Sequence, residues 1–219
     1  MYANLISASS VIILLASLSL GCRNTELEST WRDRELTIDG NAIDWEGSTV
    51  HLEDEKVTVG LSNDEDFLYL FLSSNDKNIQ RQLLTRGLTV WFDPDGGNDR
   101  VFGIRFPLGV QGTGMPMMSR ERMAPDREEF NEMYKKTLTE LEILGPGKHD
   151  RLRTSVLAEH GISVKLGEAR ENLVYELKVP LSRTVDHPHA IGSAAGKTIG
   201  VGFETNQPNR QIMRDIPRW

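Results

Sequence analysis

Of the 219 residues only one is cysteine, Cys22. No intramolecular disulfide can form, so an exported fold built from this chain must hold by its core alone. Aromatic residues are sparse at 7%, and the excess of acid leaves a net charge of -7, which argues against nucleic acid as a partner. No apolar run is long enough to span a bilayer comfortably; the longest, Leu5 to Leu20, stops short of that length. Catalytic signatures are missing too. There is no Gly-x-Ser-x-Gly elbow, no phosphate-binding glycine loop and no His-Glu-x-x-His pair. Nothing in the motifs points to an enzyme. Carboxylate pairs for glycoside cleavage can still be assembled in space from distant Asp and Glu residues.

What is present reads as β structure. Phe67-Leu68-Tyr69-Leu70-Phe71-Leu72 is a continuous apolar run opened by Asn63-Asp64-Glu65-Asp66, the pattern of a strand covered on both faces. Leu88-Thr89-Val90-Trp91-Phe92-Asp93 alternates, sending Leu88, Val90 and Phe92 one way and Thr89, Trp91 and Asp93 the other. Lys56–Leu61 should pair with Phe67–Leu72 as a hairpin. A second hairpin should join Leu88–Asp93 to Val101–Phe106 across Pro94-Asp95-Gly96-Gly97. Glu35–Gly40 reads as a short strand with Leu36 and Ile38 on one face, and Ile79, Leu83 and Leu84 as a short helix.

Pro107 to Pro125, with Met115, Met117, Met118 and Met123, reads as a loop. Asp126 with Glu129 resembles a capping box ahead of the helical stripe Phe130, Met133, Tyr134, Leu138 and Leu141, which passes into Leu141–Leu144 as a candidate strand. Residues 107–147 are therefore expected to be a helical insertion. Arg153–Ala158, Gly161–Leu166, Leu173–Val179 and Thr198–Thr205 complete the strands, the last with Ile199, Val201 and Phe203 inward. The expected fold class is mainly β: an antiparallel immunoglobulin-like or jelly-roll β-sandwich over 31–219.

The N-terminus has the character of an export signal. Val11-Ile12-Ile13-Leu14-Leu15 lies at its centre, and Leu18-Ser19-Leu20-Gly21-Cys22 follows. A cysteine directly after a small residue at the end of such a run resembles the lipobox of bacterial lipoproteins, though Ser19 stands where that family has Leu and no Lys or Arg precedes the run. The resemblance implies removal of residues 1–21, lipidation of Cys22, a tether over 22–30, and membrane attachment, with Arg23 after the cysteine pointing to the outer membrane of the cell envelope. An ordinary secretory peptide, or a buried structural cysteine, is the alternative.

Four stretches in order carry a second resemblance: Ile38-Asp39-Gly40-Asn41-Ala42-Ile43-Asp44-Trp45, Asn63–Leu70, Val90-Trp91-Phe92-Asp93-Pro94-Asp95-Gly96, and the closing pair Leu173–Leu181 with Ile199–Glu204. Together they resemble the carbohydrate-binding module family 9 and DOMON-like domains. That resemblance implies an exported sandwich that binds a ligand without chemistry. Sugar is the usual ligand, and some relatives carry haem. In this pattern Trp45 is expected to be structural, with Asp39 and Asp44 bonding turn amides.

Trp91 is the candidate ligand contact, because the C–H face of a pyranose stacks on flat rings while carboxylates bond its hydroxyls. Covering about 100 Å² of indole is worth roughly 2.5 kcal/mol, short of the roughly 4 kcal/mol that millimolar binding needs. A second ring is required, and Tyr69 or Phe71 is expected to supply it, with Asp93 as the polar partner. Packing of Trp91 beneath the insertion is the competing reading. Asp93, Asp95, Asn98 and Asp99 crowd oxygens as calcium prefers, but lack the spacing of an EF-hand; a solvated hairpin competes. The run Glu53-Asp54-Glu55 reads as a wet loop. His187 and His189 offer two imidazoles without a third ligand, and Met115–Met118 with a histidine are the only candidate haem ligands. No cofactor is otherwise expected. The expected partners are a carbohydrate or other polar ligand and the membrane; the alternatives are a structural module that meets an envelope protein and, second to it, a haem-binding redox module.

Overall fold

The computed structural model describes residues 26–109, 137–147, 149–157 and 161–205. Cys22, the four methionines of 115–123, the Asp126 cap with Phe130, Met133 and Tyr134, and much of the expected insertion lie outside them.

Two sheets face each other. The first contains β1 (Thr30–Trp31), β2 (Thr49–Leu52), β3 (Val57–Asn63), β4 (Phe67–Ser74), β9 (Ser163–Ala169) and β10 (Asn172–Pro180), in the order β1-β3-β4-β10-β9 with β2 also on β3. The second contains β5 (Leu88–Asp93), β6 (Phe102–Arg105), β7 (Glu140–Leu144), β8 (Arg151–Ser155) and β11 (Gly200–Thr205), in the order β11-β5-β6-β7-β8. Apart from the parallel β1–β3 pair, every ladder is antiparallel. This is a β-sandwich, and both expected hairpins are present. β3 meets β4 with Leu61 opposite Leu70, and β5 meets β6 with Val90 opposite Ile104.

The core lies between the sheets. Leu68, Leu70 and Leu72 of β4 and Tyr175, Leu177 and Val179 of β10 meet Leu88, Val90 and Phe92 of β5 and Phe102, Ile104 and Phe106 of the β6 strand and its continuation. Inward residues recur at every second position, as a pleated strand requires. Helix α1 (Lys77–Arg86) connects the sheets, with Leu83 buried and the Asp76 carboxylate capping the amides of Asn78 and Ile79. It ends at Gly87 (φ +82°), where a Cβ would meet the Pro107 carbonyl oxygen at 2.5 Å, so only glycine fits the turn into β5.

Three sequence expectations are corrected. Glu35–Gly40 is not a strand. Leu36 and Ile38 do face an apolar cluster, but the Thr37 amide donates to Asp44 and the amides of Asp39 and Gly40 donate to Glu176, so no ladder forms. Leu141–Leu144 belongs to β7, inside the second sheet between β6 and β8, so the expected insertion of 107–147 includes a framework strand. Phe203 sits opposite Val90 on the inward side, yet β11 is an edge strand and leaves it 41% exposed.

One core group lacks a partner: the Tyr175 hydroxyl is buried with no hydrogen bond, and burial alone pushes its pKa up. An unpaired buried hydroxyl is a net cost. Tyr175→Phe should therefore leave stability unchanged or raise it by about 1 kcal/mol in urea unfolding. A loss of similar size would show that the hydroxyl has a partner.

Candidate functional site

Trp91 stands on the outward face of the second sheet, and its two cross-strand neighbours are glycines, Gly103 on β6 and Gly202 on β11. The missing side chains make the seat. A Cβ on Gly103 would lie 2.7 Å from ring carbons Cε3 and Cζ3, so the indole rests against bare backbone. The ring is partly buried, and Nε1 donates to Glu204 Oε2 at 2.9 Å. The same carboxylate takes the Arg100 guanidinium at 3.2 Å, and that guanidinium stands 5.9 Å from the ring centroid. An oriented ring, a carboxylate and a cation thus lie together.

The face continues in charged pairs across β6, β7 and β8. Arg105 meets Glu142 at 3.2 Å, Arg151 approaches the same carboxylate at 3.8 Å, and Arg153 meets Glu140 at 2.6 Å. Arg105 and Glu142 are 12% and 7% exposed. Burial pulls the Arg105 pKa down, against the raising influence of Glu142, and its Nε has no partner.

The remaining expected site residues are elsewhere or otherwise engaged. Asp93 is 5% exposed, and its two oxygens accept the amides of Asp95 and Asp99 at 3.0 and 2.9 Å. It organises the hairpin turn and is not displayed to a ligand. Among the described residues no group of three or more His, Cys, Asp or Glu is placed to hold a metal; of the expected calcium set, Asp95 and Asp99 are joined to Asp93 through their backbones, and Asn98 lies in the same turn.

Tyr69 and Phe71 are on β4, in the opposite sheet, and are 2% and 3% exposed. They do not meet Trp91, so the expected second ring is corrected. The continuous apolar run turns both faces of β4 indoors, and these two pack with Trp45, Val174, Leu36 and Ile38. The Tyr69 hydroxyl donates to Asp64 at 3.1 Å; burial and then the Asp64 charge push its pKa up to about 12. Burial would push the Asp64 carboxyl up, but the amides of Phe67 and Asp66, the Tyr69 hydroxyl and Arg32 outweigh it and hold the carboxyl low. His187 packs edge-on to Phe67 at 5.2 Å.

Sequence reasoning missed Glu176. It is fully buried on β10 and accepts three N–H groups: Trp45 Nε1 at 2.7 Å, the Asp39 amide at 2.9 Å and the Gly40 amide. Burial pushes its pKa up, against the pull of those three donors. The Asp-Gly and Asp-Trp pairs of the first motif are thereby tied to the middle of a distant strand. Trp45 is 1% exposed and stacks near Phe71 at 5.4 Å, so it is structural as expected, with Asp39 and Asp44 accepting the Asn41 and Thr37 amides. The available signal was a lone acid inside Leu173-Val174-Tyr175-Glu176-Leu177. Buried acids almost always have partners.

A small cleft of about 20 Å³ lies away from Trp91, where Trp31, Arg34, Asp44 and Ser48 line the space beside β1.

No protein-family model matches the chain, and no curated protein does. Among solved structures it is similar to a carbohydrate binding module family 9 domain from Caldicellulosiruptor kristjanssonii in complex with glucose, at 9% sequence identity and a TM-score of 0.40, over 84% of this chain and 78% of that one. This is a distant structural resemblance.

Proposed function

We propose that the chain is an exported, lipid-anchored, non-catalytic binding module that holds a carbohydrate or related polar ligand on the outward face of the second sheet. The observation that carries this reading is the Trp91 seat: a ring laid against Gly103, with its N–H fixed by Glu204 and Arg100 alongside. An immobilised ring loses little entropy on stacking, and Glu204 and Arg100 supply an acceptor and a donor for sugar hydroxyls. They take the polar role that Asp93 cannot, and in the absence of Tyr69 and Phe71 they make up affinity through hydrogen bonds. Anchoring follows from the resemblance of Leu18–Cys22 to a lipobox, and the location is the bacterial envelope, at the outer membrane.

A glycan array probed with the chain lacking residues 1–22 tests the function. A hit is expected, and Trp91→Ala should weaken it at least tenfold, consistent with roughly 2.5 kcal/mol from the covered ring. Its melting temperature should fall by only a few degrees, because the ring is outside the inter-sheet core. No hit, or a collapse of the fold in Trp91→Ala, would leave a structural or protein-interaction module instead.

A further inference from the structure

The free edge of β3, where β1 and β2 pair, carries two large apolar side chains in the open. Trp31 is 55% exposed and Val50 48%. β1 and β2 lie along the same edge of β3, with Trp31 opposite Asn63 and Val50 opposite Val59. Asn63 and Val59 are four residues apart on one strand, so Trp31 and Val50 share a face. Trp45 and Trp91 each donate their indole N–H to a glutamate; among the described residues Trp31 makes no such bond.

We propose that this edge is the surface by which the domain rests on a phospholipid bilayer, with Trp31 in the headgroup layer. The inference rests on the lipid-anchored reading given above. Cys22 precedes Thr30 by eight positions, a reach of at most roughly 28 Å. An acylated Cys22 therefore keeps β1 within a short distance of the membrane at all times. The first element the tether meets is also the one with the exposed indole. Indole rings partition to the headgroup layer, where the ring is shielded and the N–H finds phosphate or carbonyl oxygens. Around Trp31 the charges alternate, Arg32, Asp33, Arg34 and Glu35, so neither sign dominates and a zwitterionic surface is the matching one. The tether supplies the local concentration that so small a patch lacks on its own. In this pose the Trp91 face, on the other sheet, is not the membrane contact.

The test uses the full-length acylated protein in phosphatidylcholine vesicles, with and without bromine at shallow acyl positions. Bromine quenches indoles it approaches. The chain has four tryptophans, and brominated lipid should remove about a quarter of the emission. Trp31→Phe should abolish that lipid-dependent loss with the melting temperature unchanged, since Trp31 is outside both apolar clusters. Val50→Ser should reduce it. Vesicle flotation of the wild type and Cys22→Ala reports anchoring separately. If the protein floats through Cys22 but its emission is unaffected by bromine, or is lost equally in Trp31→Phe, the docking surface is overturned while the anchor stands. If the wild type does not float, both fall.

Discussion

Glu176→Ala is expected to cost roughly 3–5 kcal/mol, because three donors are left buried without an acceptor at about 1–3 kcal/mol each, with partial relaxation. For a domain of this size that lowers the melting temperature by about 10 °C or more. The loss should appear in both thermal and urea unfolding. Glu176→Gln keeps an acceptor and nearly the same volume, and should cost less than half as much. Trp45→Phe removes the indole donor from the same carboxylate, so its effect should be much smaller in the Glu176→Ala background than in the wild type, the sign of a shared interaction. The clamp matters because it ties the segment around Asp39–Trp45 to β10 and closes the apolar cluster of Trp45, Tyr69, Phe71 and Val174. Glu176→Ala melting within about 3 °C of wild type would show that the carboxylate is not what holds this cover.

Glu142→Ala is the second large effect expected. Arg105 is 12% exposed, its Nε already lacks a partner, and Glu142 is its 3.2 Å counter-charge. Removing one member of a buried pair strands the other, at about 3–5 kcal/mol; Arg151, at 3.8 Å from the lost carboxylate, adds repulsion and no relief. The double replacement Arg105→Met with Glu142→Leu should recover most of that loss, since apolar residues of similar volume avoid the desolvation penalty. If the single and double variants are equally unstable, the pair contributes through shape and not charge.

The elements defined by local alternation were legible in the sequence. β3, β4, β5 and β6 could be read residue by residue, including the outward direction of Trp91, because a strand's two faces follow directly from its period of two. The environment of that ring was not legible. Glu204 is 113 positions away from Trp91, and only the pairing of Gly202 with Trp91 brings it alongside. Glycine as an absence of side chain is likewise silent until the register shows what lies across from it. Tyr69 was misjudged for a related reason: β4 and β5 adjoin in sequence, but α1 carries the chain from one sheet to the other. Leu36 and Ile38 illustrate the converse error, since alternating burial is possible without a ladder when side-chain carboxylates take the amides.

The manner in which the domain begins also has a mechanical consequence. β1 is two residues long and runs parallel to β3; around it the Arg32 amide donates to the Asn63 carbonyl, the Ser62 hydroxyl to the Thr30 carbonyl and the Ser29 hydroxyl to the Asn63 side chain, and Arg32 pairs with Asp64. Neither of its residues is buried. Force applied to the chain ahead of Thr30 would unzip this short flap first and yield several ångströms of slack before any load reached the leucines between the sheets. The flap gives way, and the packed interior behind it is spared.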